Sequence, residues 1–393
     1  MSTLKVDAIR HNSATSDAIT TASDGTCTAK ITSINGGSQL SHRNIIINGA
    51  MMVAQRGQSS TSNGYHTVDR FQVNNSATDE APTQAQVDVA SGTTPYSLGF
   101  RKALKVTNGN QTSGAGASDF IRALYYIEAQ DLANSGWNYK SSSSYITLSF
   151  WVKASVAQTY YTNLRAFDGT QKMYYFSYTL SADTWTKVTH TIPGHADISF
   201  DNDNGQGMYI QWYQFRGTNN TGPVTANQWH NLDTSTFTPD QDSTWYTTND
   251  ATWEMTGVQF EVGDTATSYE HRSYGEELIR CQRYYYMHAR GSGDWVGVAT
   301  LYQDNNLFCH VKFPVTMRTT PSKDVASGSG FFRAYSNGGN SSFNTFSGIW
   351  NAQPNGTGLN AYSNDGVANR SAGHSSMIIS DHADAYLGFS AEL

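Results

Sequence analysis

The sequence predicts a mainly β protein: an antiparallel jelly-roll sandwich, preceded by an extended N-terminal segment and followed by a β-rich domain that a short helix opens. Three observations predict this class. Only 15% of the 393 residues are charged, while glycine (34 residues) and tyrosine (23 residues) are abundant. Several segments alternate apolar and polar residues, as half-buried strands do. Aromatic residues make up 12% of the chain, which indicates a folded protein rather than a disordered one.

Residues 1–42 differ from the rest of the chain. Short alternating pieces such as LKVDAI and TAKITSI are separated by glycine, asparagine and serine, and aromatic residues are lacking. Such a segment cannot form a core by itself. We expect either a flexible tail or a segment that is ordered by sister chains or by a larger particle.

Residues 43–272 show the densest strand signals. The segment Tyr145–Ala154 alternates apolar and polar side chains, and residues 184–192 and 208–215 predict two further strands. Gly- and Asn-rich loops join these strands, and no helical pattern is long enough for parallel crossovers. An antiparallel sandwich follows, and the wide strand spacing favours a jelly roll of roughly eight strands.

Residues 273–393 begin where the spacing of apolar residues changes from the alternation of strands to the three- and four-residue intervals of a helix. Ser273 and Glu276 have the spacing of a capping box, and apolar residues then recur at helical intervals. Strand-like runs such as WVGVATLYQ and LFCHVKFPVTM follow, separated by glycine, serine and asparagine. A short helix is therefore predicted to open a C-terminal β-rich domain.

Composition and motifs exclude several classes of function. The net charge is −7 and the basic residues are scattered, so no nucleic-acid-binding surface is expected. No run of eighteen apolar residues and no signal-peptide core occurs, so we expect synthesis in a cytoplasm without membrane insertion. The sequence contains neither HExxH nor CxxC, and no cofactor is expected.

Three parts of the sequence carry a resemblance to known proteins: NIIINGAMMVAQRG with YHTVDRF, TGVQFEVGDTATSYEHRSYGEELIRCQRYY, and FPVTMRTTP with the terminal FSAEL. These runs resemble tail-fibre and appendage proteins of tailed bacteriophages, notably those of marine and cyanobacterial hosts. The opening TLKVDAIRHNS also resembles such subunits. Within residues 44–265, the runs YITLSFWVKAS, TWTKVTHTIPG and DNDNGQGMYIQWYQF resemble a carbohydrate-binding-module jelly roll.

The resemblance implies a virion protein and a homotrimer. It implies that the N-terminal segment attaches the chain to other tail or virion proteins, and that the target is a glycan on the host cell surface. The sequence has no long heptad or collagen-like shaft, so a short globular appendage is expected rather than a slender rod.

A glycan-binding surface needs flat aromatic faces for the sugar rings and polar side chains for the hydroxyl groups. Some candidate aromatic residues lie in or beside polar, loop-like stretches, and one residue of an adjacent pair in the strand 208–215 must point away from the core. Each could instead fill a sheet face or a trimer interface. The candidates are Trp137, Tyr161, Trp212, Tyr213, Trp229 and Trp245.

Three pairs of acidic residues are candidates for metal binding or catalysis. Asp201 and Asp203 in DNDNG are weak candidates for a structural Ca²⁺ site, because the EF-hand pattern is incomplete and the sequence favours an Asx-rich turn. Glu128 with Asp131, or Asp240 with Asp242, could supply a pair of catalytic carboxylates.

The sequence therefore predicts a non-enzymatic, receptor-binding virion subunit. A passive structural or decoration protein of the virion is the first alternative, and a glycan depolymerase is the second. Depolymerases of this kind usually form repetitive β-helices, and no such repeat is found in the sequence.

Overall fold

A computed structural model of the chain describes residues 6–10, 19–25, 27–29 and 42–393. These residues form 27 β-strands and four α-helices, the longest of which has nine residues. Neighbouring strands in the sheets run antiparallel. The predicted class, a mainly β protein with an antiparallel sandwich, is confirmed.

Three short strands lie in the described part of the N-terminal segment. Strands β1 (Ala8–Ile9), β2 (Ile19–Thr21) and β3 (Cys27–Ala29) form one antiparallel sheet in that order. Residues 1–5, 11–18, 26 and 30–41 lie outside the described residues. The predicted role of the segment in attachment or trimerisation stays a prediction.

Two six-stranded sheets form the sandwich. The first sheet contains, in spatial order, β16 (Trp229–Asn231), β12 (Lys172–Leu180), β10 (Gln158–Ala166), β15 (Gln206–Arg216), β8 (Phe120–Glu128) and β5 (Phe71–Ser76). The second contains β13 (Thr186–Pro193), β9 (Tyr145–Ala154), β17 (Thr252–Val262), β7 (Lys102–Thr107), β6 (Thr83–Asp88) and β4 (Ser59–Ser60). A ribbon of β11 (Asp168–Gly169) and β14 (Ile198–Ser199) and the helices α1 (Thr94–Ser97), α2 (Ala129–Ala133) and α3 (Thr244–Thr247) lie in the connections.

The predicted strand Tyr145–Ala154 matches β9 residue for residue. Its apolar positions face the large core cluster between the sheets, which draws its members from residues 46–260. The sandwich has twelve strands rather than the roughly eight predicted. The edge strands β4 and β16 have two and three residues, so they are too short to show a period in the sequence.

The C-terminal part begins with α4 (Tyr274–Gln282), as predicted. The Ser273 hydroxyl accepts a hydrogen bond from the Glu276 backbone N–H at 3.2 Å, so the capping residue is in place. A three-stranded sheet follows, with the order β18 (Tyr285–Arg290), β27 (Tyr386–Ser390), β21 (Ser322–Val325).

A seven-stranded sheet completes the C-terminal part, and a second core cluster drawn from residues 289–391 packs beneath it. The predicted domain limits at residues 42 and 272 stay a prediction. The sheet has the spatial order β23 (Gly339–Phe343), β22 (Phe332–Ser336), β26 (Ser375–Ser380), β19 (Trp295–Gln303), β20 (Asn306–Lys312), β25 (Gly356–Ala361), β24 (Gly348–Gln353).

A buried ion pair joins the two parts of the chain. Arg70, which immediately precedes β5, pairs with Glu392, the penultimate residue. The Arg70 guanidinium also donates to the Tyr126 carbonyl at 2.7 Å and lies 3.4 Å from the ring centroid of Tyr284. The end of the chain is thus anchored against the sandwich.

Among the described residues, no helix combines the length and the apolar character that crossing a membrane requires.

Replacing Glu392 by Gln is expected to lower the free energy of unfolding by about 3–5 kcal/mol, because the buried Arg70 guanidinium would keep its charge and lose its counter-charge. Glu276→Gln is the matched control, since Glu276 forms a surface pair with Arg280 one helical turn away. Its expected cost is below about 0.5 kcal/mol. Chemical denaturation measures both, and equal small losses would contradict the proposed anchoring.

Candidate functional site

Four of the six predicted aromatic residues are buried tryptophans, which corrects the expectation that they face solvent. Trp212 packs in the core against Phe71 and Phe150. The indole N–H groups of three of them donate to backbone carbonyls, at 3.3 Å for Trp137, 2.7 Å for Trp229 and 3.0 Å for Trp245. Large aromatic side chains fill a sandwich core efficiently, and a satisfied N–H makes burial cheaper. Because the faces of these four indoles are buried, a sugar ring cannot stack on them.

The other two candidates, Tyr161 and Tyr213, lie on the outer face of the first sheet. This outer face is the side of strands β8, β10, β12 and β15 that points away from the core. Tyr161 and Tyr213 are cross-strand neighbours. Tyr161 is half-buried, whereas Tyr213 is fully buried and donates to the Gln211 side chain at 2.7 Å. Of the adjacent pair, Trp212 faces the core and Tyr213 points away from it.

The two candidate metal ligands form turn contacts. The Asp203 carboxylate accepts a hydrogen bond from the Gly205 backbone N–H at 2.8 Å, and the Asp201 N–H donates to Asp168 at 3.0 Å. Within the part of the chain that the structure describes, no group of three or more His, Cys, Asp or Glu side chains could hold a metal ion. The structural Ca²⁺ site stays an untested expectation.

The candidate carboxylate pair Glu128 and Asp131 has unequal members. Arg283 bonds both Glu128 oxygens, at 2.9 and 2.8 Å. Burial acts to raise the pKa of Glu128, but the hydrogen bonds from Arg283, Tyr284 and Gln130, together with the positive charge of Arg283, outweigh it and the pKa is lowered. Burial and the neighbouring Glu128 raise the pKa of Asp131 to about 6. Both oxygens of Glu128 thus already accept hydrogen bonds from Arg283, so this carboxylate is poorly placed to bind a ligand.

An exposed aromatic groove lies on the solvent face of the seven-stranded sheet. It encloses ≈ 390 Å³, a volume in the range of small-ligand sites. Its most exposed rings are Tyr302 (77%), Trp350 (57%) and Tyr362 (39%). The six residues that line it, here named the aromatic groove, are Tyr302, Asn306, Phe308, Trp350, Asn360 and Tyr362.

The register of four strands brings these residues together. Phe308 on β20 is paired with Asn360 on β25, and Trp350 on β24 is paired with Gly358 on β25. The Phe308 and Trp350 rings meet edge to face, with centroids 5.1 Å apart and planes at 74°. Because these positions are fixed by strand pairing, the groove has a rigid floor.

Glycine makes room for the rings. A Cβ atom on Gly358 would lie 2.9 Å from the Phe308 ring and 3.1 Å from the Trp350 carbonyl oxygen. On Gly348, a Cβ would lie 2.7 Å from Asn360 and 3.2 Å from the Tyr362 ring. The rings therefore lie closer to the sheet than any larger residue at these two positions would allow.

The groove offers apolar ring faces and uncharged polar groups side by side. Asn306 and Asn360 contribute amides that donate and accept hydrogen bonds, and the amide nitrogen of Asn360 is 3.4 Å from the oxygen of Asn306. The six lining residues include no Asp, Glu, Lys, Arg or His. This chemistry matches a neutral ring that has apolar faces and hydroxyl edges, as a sugar has.

Sequence reasoning missed the groove because its members come from four strands that are distant in sequence. Alternation in the second half of β19 buries Ala299 and Leu301, so it could have placed Tyr302 on the exposed face. No local pattern pairs Phe308 with Asn360 or sets Trp350 beside them. Only the sheet order β19-β20-β25-β24 does so.

No family model matches the sequence, and no curated protein matches it. Several solved structures show distant likeness. The enzymatically active domain of tailspike protein 4 from bacteriophage CBA120 has a TM-score of 0.31 and 11% identity over 56% of this chain. The match spans only 21% of that tailspike chain.

Two other solved structures illustrate the range of these likenesses. The N-terminal cellulose-binding domain of β-1,4-glucanase C from Cellulomonas fimi has a TM-score of 0.25 and 13% identity, over 55% of this chain and 99% of its own. A cyclase from Fischerella sp. has a TM-score of 0.32 and 10% identity, over 57% of this chain and 98% of its own. At these TM-scores the function has to be inferred from the residues of this chain.

Proposed function

We propose that this chain is a structural subunit of a phage tail fibre or virion appendage that binds a glycan on the host surface through the aromatic groove. The observation that carries the proposal is the exposure of Tyr302, Trp350 and Tyr362 beside two asparagine amides. Large aromatic side chains are normally buried, so a cluster of exposed ones on a rigid sheet marks a binding surface.

The groove fits a sugar better than it fits a charged ligand or a long apolar one. Ring faces supply stacking area, and the amides of Asn306 and Asn360 supply donors and acceptors for hydroxyl groups. The groove is shallow, which limits the affinity of a single copy. Several copies on one particle would multiply that affinity through effective concentration.

The virion role is supported by the resemblance of the runs NIIINGAMMVAQRG and SYEHRSYGEELIRCQRYY to phage appendage proteins. In this proposal the N-terminal segment attaches the subunit to other tail or virion proteins, the sandwich forms its body, and the C-terminal part presents the groove. The subunit acts as a homotrimer on the virion, and it is not an enzyme.

Replacing Trp350 by Ala is expected to weaken binding to the best ligand of a glycan array about tenfold, since ~1.4 kcal/mol of stacking is lost. Trp295→Ala is the matched control. Trp295 is equally exposed (59%) and lies on β19 of the same sheet, but it does not line the groove. Its removal should leave glycan binding unchanged.

Equal losses for both variants would contradict the groove as the binding site and indicate general damage to the sheet. A folded chain that binds no glycan on the array would favour the passive structural alternative. Exposed Val298 and Met377 on the same sheet face suit contact with another virion protein, which is the observation that keeps this alternative open. Shortening of a bound glycan polymer during incubation would favour a depolymerase.

The oligomeric state is a separate expectation. Static light scattering of the purified full chain should give about three times the 43.1 kDa mass of one chain. A monomer at micromolar concentration would contradict the trimeric appendage, while leaving glycan binding by the groove open to its own test.

A further inference from the structure

Three arginines share the outer face of the first sheet. Arg165 on β10 is the cross-strand neighbour of Tyr209, and Arg122 on β8 is that of Tyr213. Both tyrosines belong to the central strand β15, so Arg122 and Arg165 flank this strand on opposite sides. Arg216 ends the same strand.

Within the described part of the chain, none of these three guanidinium groups forms an ion pair. Arg122 donates to the Gln211 side-chain oxygen at 2.5 Å. Arg216 has no hydrogen-bond partner among the described residues and instead lies 5.0 Å from the Phe120 ring centroid and 4.7 Å from that of Phe237. Carboxylates pair elsewhere in the chain with Arg56, Arg70, Arg272, Arg283 and Arg333.

A second observation points the same way. Gln211 is fully buried between the arginines, and its side-chain N–H₂ group has no hydrogen-bond partner in the described residues. Its oxygen already accepts from Arg122 and from the Tyr213 hydroxyl. This face therefore holds an unused amide donor next to guanidinium groups that lack a counter-charge.

The position of Arg216 is electrostatically unfavourable without an anion. Burial lowers the pKa of Arg216, and the nearby positive charge of Arg122 adds to the lowering, while Tyr213 acts against it. Buried cations in native proteins are normally paired, because desolvation is not repaid otherwise. An anion bound at this face would remove both the desolvation cost and the mutual repulsion.

Solvent reaches this face, and aromatic rings alternate with the arginines. Arg122, Arg165 and Tyr126 are half-buried rather than enclosed. The Cζ atom of Arg165 lies 4.7 Å from the Phe167 ring centroid. Cations and ring faces side by side suit a ligand that combines an anionic group with a ring.

We infer that the outer face of the first sheet binds an anionic substituent of a saccharide, with Arg122, Arg165 and Arg216 as the anion-binding residues. The inference rests on the proposed function only in taking the ligand to be a glycan. It adds that the glycan is acidic and that it has a second contact surface far in sequence from the aromatic groove. The shared chemistry is a carboxylate or a sulfate ester.

Isothermal titration of the full chain with tetragalacturonate, a sulfated carrageenan tetrasaccharide and neutral cellotetraose distinguishes these sources. At least one acidic oligosaccharide should bind, and its affinity should fall as salt is raised. Arg122→Gln and Arg165→Gln should each weaken this binding about tenfold, because a charge-assisted bond is lost. The exposed Arg101→Gln is the matched control and should bind like the wild type.

The variant Arg216→Met distinguishes an anion-binding arginine from one that only stabilises the fold. Removing a buried, unpaired charge should raise the melting temperature of the ligand-free chain. The acidic ligand should then raise the melting temperature of the variant by less than it raises that of the wild type. A lower melting temperature would indicate a structural role and overturn the inference. So would acidic oligosaccharides that do not bind, or that bind all arginine variants equally.

Binding at the aromatic groove and binding at the three arginines can be tested independently. Trp350→Ala should leave binding of a short acidic oligosaccharide unchanged, since the aromatic groove is formed by other strands. If the arginine variants instead alter the mass in solution, then carboxylates of a second copy occupy this face and the inference is overturned.

Discussion

The structure depends most on one buried cation, the guanidinium of Arg70. It gathers three distant parts of the chain, because it pairs with Glu392, donates to the carbonyl of Tyr126 and stacks on Tyr284. These contacts fix the position of the last strand and of helix α4 against the sandwich. A buried charge tolerates only partners with the right sign and geometry, so this junction specifies how the two parts of the chain meet. The second core and the seven-stranded sheet belong to the C-terminal part that this junction joins to the sandwich.

That constraint matters for function because binding surfaces need a rigid support. The aromatic groove lies on paired strands, and glycine at positions 348 and 358 lets its rings lie against the sheet. The arginine-rich outer face likewise lies on the central strands of the sandwich. Each surface has one unusual feature: the groove exposes large aromatic rings, and the outer face of the first sheet leaves the buried guanidinium of Arg216 without a counter-charge. These two features are the observations that support the proposed binding of a ligand at each surface.

Sequence patterns predicted the parts of the fold that depend on local chemistry. The alternation in Tyr145–Ala154 and the cap at Ser273 were both found in the structure. The same patterns could not identify the groove, because Phe308 and Asn360 become neighbours only through strand pairing. Polar surroundings in the sequence suggested exposure for Trp229 and Trp245, yet their rings turn inward and their N–H groups find backbone carbonyls. Burial of a side chain is set by tertiary packing, which a local window does not contain.

The central claim is that sugar rings stack in the aromatic groove rather than on the tryptophans of the sandwich. A crystal structure of the full chain with its best-binding oligosaccharide tests this most directly. The account predicts a sugar ring against Trp350 and Tyr302, with hydroxyl groups bonded to Asn306 or Asn360. A sugar ring held elsewhere, with the groove empty at saturating ligand, would contradict it.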